Sequence, residues 1–159
     1  MTSNASSAIK QTTLSLRDNW QQRRLTTQFQ DDPLRNLAMS NHALSECYSL
    51  LINRHLLDLE TLLQELQTRT RTDFVVYRNF GASLSKRAIT EEDRQFVRTF
   101  YDGPLQVLSN FSLGLEVCLL FLSRRQLGQL EEELPQLQRT MQENIADCYR
   151  WVRETNGFT

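Results

Sequence analysis

"PLQVLSNFSLGLEVCLLFLS", residues 104–123, is the most apolar run of the chain, and its reading decides the fold. Glu116 is its one charged residue. A bilayer span takes about 20 mostly apolar residues. This run has that length, but Gln106, Ser109, Asn110, Ser112 and Glu116 are spread along it. We read it as the central helix of a bundle, buried on most sides, and not as a membrane span. Gly114 suits a close helix crossing there, and Arg124 and Arg125 suit the negative end of the helix dipole.

The flanking segments extend the helical pattern. Upstream, Asp32 and Pro33 form a helix start, because proline needs no amide partner at the first helical position. From there to about Thr68 no Gly or Pro intervenes. Leu34, Leu37, Leu44, Tyr48, Leu51, Leu59, Leu62 and Leu66 keep helical spacing, and Ala43, Cys47, Leu50 and Leu57 make a second stripe. One long helix over 33–68, apolar on more than one face, is expected. Thr90, followed by Glu91, Glu92 and Asp93, starts the next helix. "YDGP", 101–104, is expected to interrupt it. The last segment carries a seam through Leu127, Leu130, Leu134, Leu137, Met141, Ile145, Cys148 and Val152. Pro135 marks either its start or a kink, and Asn156-Gly157 marks its end.

Composition agrees with this pattern. The 159 residues suit one domain, and only 5 Gly and 3 Pro stand against 26 Leu and 14 Gln. The expected fold is all-α: an antiparallel helical bundle of four main helices plus a weaker N-terminal helix near 14–30, whose anchors are Leu16, Trp20 and Phe29. Residues 1–12 are expected to be a flexible tail, and 13–159 a single domain.

The net charge is −1, so nothing draws the whole molecule to nucleic acid or anionic lipid. The start, "MTSNASSAIKQTTLSL", holds no apolar run of seven, and the 3 cysteines sit in apolar helical sequence. A cytoplasmic protein with buried thiols is expected. No catalytic residues emerge. His42 and His55 lack ligand spacing, the glycines form no phosphate loop, and no nucleophile elbow is present. We expect no enzyme activity, no cofactor and no metal. Glu116 reads as a paired core carboxylate or an edge residue, and His55 and Asn41 as polar members of the apolar stripe.

One segment differs in character. "RTRTDFVVYRNFGASLSKR", 69–87, carries five cations against Asp73, interleaved with Phe74, Tyr77 and Phe80. It reads as the connection after the long helix, anchored by its aromatic rings. Its alternative reading is a platform for single-stranded nucleic acid, with arginines on phosphates and rings on bases. The six residues "DFVVYR", 73–78, resemble a short segment of the coat proteins of rod-shaped plant viruses, which are helical bundles of similar size. That resemblance implies only that an arginine-bearing connection at a bundle end can serve RNA packaging. The candidate partner-binding residues are Trp20, Arg69, Arg71, Tyr77, Arg78 and Arg87. The expected function is a non-catalytic interaction protein, either an adaptor, a chaperone-like binder or a self-assembling subunit, that binds a protein partner or its own copy through apolar helix faces. The alternative is a nucleic-acid-binding or coat-type subunit.

Overall fold

The computed structural model describes residues 32–155. The expected tail, the N-terminal helix with Trp20, and the stop at Asn156-Gly157 lie outside the described residues. Four helical rods make up the rest. They are α1 (Pro33–Ile52), α2 (Leu56–Arg87), α3 (Glu91–Ser123) and α4 (Leu127–Thr155). Each packs on two neighbours in a ring: α1 on α2 and α4, and α3 on α2 and α4. Side-chain pairs fix the directions. Asn36 meets Asp73 and Arg71 meets Glu116, so α2 runs antiparallel to both neighbours. Arg54 meets Glu131 and Asn41 meets Gln138, which sets α4 antiparallel to α1. The all-α fold and the four main helices agree with the sequence reading.

The segmentation is different from that reading. The helix expected over 33–68 breaks at Asn53–His55. There Arg54 takes a left-handed backbone with φ 58°, His55 N–H donates to the Leu50 carbonyl, and Arg54 N–H donates to the Leu51 carbonyl. These are the bonds of a Schellman stop, a role usually filled by glycine. The same turn recurs at the end of α3, where Arg125 has φ 56° and Gln126 N–H donates to the Phe121 carbonyl. His55 therefore does not sit on an apolar stripe; it is exposed at the head of α2.

The second correction concerns 69–87. This segment is not a connection but the second half of α2, 32 residues long and so about 48 Å. Asp73, Tyr77, Phe80 and Leu84 continue its buried face. The third concerns "YDGP". The rod does not stop there; it widens into a π turn over Tyr101–Leu105 between helical segments Glu91–Phe100 and Gln106–Ser123. Pro104 is the local cause. It has no N–H to give, and its ring would strike the carbonyl four residues back in a regular helix. Pro135 lies inside α4 without ending it.

Caps and close approaches complete the frame. Asp32 Oδ1 accepts from Leu34 N–H at 3.2 Å and from the Tyr77 hydroxyl at 3.0 Å, joining the start of α1 to the middle of α2. Thr90 Oγ1 accepts from Asp93 N–H at 3.0 Å, and Asp93 Oδ2 accepts from Ile89 N–H at 3.4 Å. Asn41 and Gln138 exchange amide-to-carbonyl bonds of 3.0 and 3.1 Å across α1 and α4, so Asn41 sets the pairing register. Gly114 lets α3 and α4 close up: a Cβ there would lie 2.4 Å from Leu137 Cδ1.

Candidate interaction surface

The candidate surface begins with the side of α3 that the bundle does not cover. Leu108, Phe111, Leu115, Cys118 and Leu122 of its second segment are inside. Gln106, Asn110, Leu113, Val117, Leu120 and Arg124 fall on the opposite face by helical spacing. The centre of that face is apolar: Leu113 is 56 % exposed, Val117 38 % and Leu120 44 %. By length and composition α3 also meets the requirement for crossing a membrane, with 39 % of its most apolar window buried within the bundle. Leu113, Val117 and Leu120 form an apolar stripe on the outside of the helix. Covering each of these three side chains would release about 1 kcal/mol.

Charged groups border the stripe toward α2. Glu116 is exposed and lies 3.9 Å from Arg71, so it is an edge residue and not a core carboxylate. Val75 is 41 % exposed and follows Arg71 by one helical turn on the same face. Arg78 continues that face, with its guanidinium carbon 6.0 Å from the Phe74 ring centre. This border is a polar rim of the kind that surrounds an apolar interface centre.

The candidates named from the sequence separate in the fold. Arg69, Arg71, Arg78 and Arg87 are all exposed. They do not form one strip. Arg71 and Arg78 stand on the α3 side of α2, whereas Arg69 lines a groove of about 420 Å³ against α1 with Met39, Ala43 and Leu62. Arg87 shares the helical face of Arg69. Tyr77 is fully buried, with its ring 5.2 Å from Phe100, and so it belongs to the core rather than to an outer surface. Phe80 is also in the core. Trp20 lies outside the described residues. Sequence reasoning missed Leu113, Val117 and Leu120, because any helix that apolar looks buried all round. The signal for them was the polar pair Gln106 and Asn110, which lies on the same face.

The thiols face inward. Cys47, Cys118 and Cys148 are buried and form no disulfide with one another. Burial, with a smaller push from Glu46, raises the Cys47 thiol to about 12. Burial, followed by Glu133 and Cys47, raises Cys118 to about 12 as well. Such thiols hold their protons at neutral pH and are poor nucleophiles. Among the described residues, no three His, Cys, Asp or Glu side chains gather in a metal-binding group. No protein family, curated protein or solved structure matches this chain.

Proposed function

We propose that this protein is a non-catalytic helical-bundle interaction module that binds another protein chain, its own copy included, through the outer face of α3. The observation that carries this is the exposed stripe Leu113, Val117 and Leu120 on the most apolar helix of the chain. A charged rim supplied by Glu116 and Arg71 supports it, since such a rim gives a partner a preferred orientation. The test places a photo-cross-linking residue at Val117 in the full chain and another at exposed Arg139 of α4. Light scattering on a sizing column is run alongside. The expected result is a cross-linked chain from position 117 only, lost when Leu113 and Leu120 become Lys. A strict monomer that cross-links no chain in its native source would sink the proposal.

Nucleic-acid binding by α2 is the second reading, favoured by one observation: its five cations between 69 and 87 are all exposed. The rings that would stack on bases are less favourable to it, since Tyr77 and Phe80 are inside the core. A strongly salt-dependent RNA affinity, reduced by Arg71→Ala and Arg78→Ala, would replace the first proposal with this one.

A further inference from the structure

Where α3 widens into its π turn, a cavity of about 350 Å³ opens between α3 and α4. Its floor is apolar and buried: Pro104, Val107 and Cys148. Half-buried Trp151 forms one wall and is held in place by stacking on Phe96, with centroids 5.4 Å apart and planes at 20°. The exposed edge carries two carboxylates, Asp102 and Asp147, with the side chains of Thr99 and Asn144 beside them. Asp147 has a partner, Arg150, at 3.2 Å, while Asp102 has no hydrogen-bond or ion partner among the described residues. No cation lines the cavity among those residues.

Two facts separate this hollow from an ordinary surface groove. Pro104 accounts for a disturbance of the helix, but it does not account for Gly103. A Cβ at Gly103 would meet no atom within 4 Å, so packing does not demand glycine at this edge of the cavity. The second is the division of chemistry, with an apolar aromatic interior and convergent polar groups at the mouth. Apolar walls with a few polar groups are common in small-ligand sites, and this volume falls at the small end of their range. π turns recur at such sites.

From this geometry we infer that the π-turn cavity binds an organic cation: an ammonium or guanidinium group on a short apolar body. The body fills the space over Pro104 and Val107 against Trp151. The charged head meets Asp102 and Asp147 at the mouth. An anion would face Asp102, which no described cation compensates, and a neutral donor would gain a hydrogen bond but no charge attraction from either carboxylate. This site does not rest on the α3 stripe, and it holds or fails whatever binds there.

The test uses the full chain, ¹⁵N-labelled, and follows amide shifts of Thr99, Gly103 and Asn144. The probes are phenethylammonium and n-butylguanidinium, against phenethyl alcohol and phenylacetate at equal concentration. Saturable shifts with the two cations only are expected. Asp102→Asn and Asp147→Asn should each weaken them about fivefold, the scale of one exposed ion pair. Gly103→Leu should fill the cavity and abolish them, with its thermal unfolding checked in parallel. Equal binding of the alcohol, or cation shifts unchanged in the Asp→Asn variants, would overturn the inference. A short acetylated Gly-Arg-Gly amide gives the source. If it binds more tightly than n-butylguanidinium, the natural ligand is an arginine side chain of a partner; if more weakly, it is a free amine or guanidine.

Discussion

Arg54 and Arg125 occupy backbone positions where an L-residue with a side chain is disfavoured by about 1–2 kcal/mol relative to glycine. They give the first prediction. Arg125→Gly should raise stability by about 1 kcal/mol in denaturant unfolding. Arg54→Gly should gain less, because Arg54 Nη1 donates to the Leu51 carbonyl at 2.8 Å and pairs with Glu131 at 3.2 Å. These two residues also explain the largest misreading of the sequence. A helix stop is recognised by glycine, and neither stop has one, so 33–68 reads as unbroken. The thiols of Cys47 and Cys118 give the second prediction. Their folded-state pKa stands above the unfolded value of about 9, so the unfolded chain loses protons first as pH rises. Stability from these groups is whole below about pH 9 and falls between about 9 and 12, by about 1 kcal/mol per pH unit for each thiol. Unfolding curves over that window should be flatter for Cys47→Ala with Cys118→Ala than for the parent. A parallel pair of curves would refute the assignment.

At the scale of the element, α3 holds one residue more than a regular helix would need between Tyr101 and Leu105. Removing Gly103 together with Pro104→Ala should therefore convert the π turn into ordinary helix and leave the protein folded by circular dichroism. Removing Ser112, in the regular segment, turns every later side chain of α3 by about 100° and should abolish cooperative unfolding. The close crossing of α3 on α4 makes the opposite kind of demand. Gly114→Val forces Leu137 aside and should cost about 1–3 kcal/mol in thermal or denaturant unfolding. Gly114 was legible as a close crossing because a glycine within so apolar a helix has few other uses. The π turn was not. "YDGP" contains two residues that end helices, and only the structure, in which a π turn over Tyr101–Leu105 leads straight into Gln106–Ser123, shows the rod continuing past them.

Over the whole molecule, stability and binding should separate. Leu113→Lys with Leu120→Lys changes only exposed positions. It should leave unfolding within about 0.5 kcal/mol of the parent while removing partner capture. Leu115→Ala, fully buried one turn away, should cost about 2–5 kcal/mol. If the double lysine variant unfolds as readily as Leu115→Ala, the stripe belongs to the core and the interaction reading fails. The residues themselves determined the helical class, the caps at Asp32 and Thr90 and the inward thiols. All of these follow from short-range periodicity and from local capping chemistry. Only the tertiary structure decided where the first long helix breaks and that 69–87 is a helix with Tyr77 in the core. It alone also decided which side of α3 is left uncovered. A leucine at helical spacing specifies a face, but which face meets water depends on the neighbours that arrive from far along the chain.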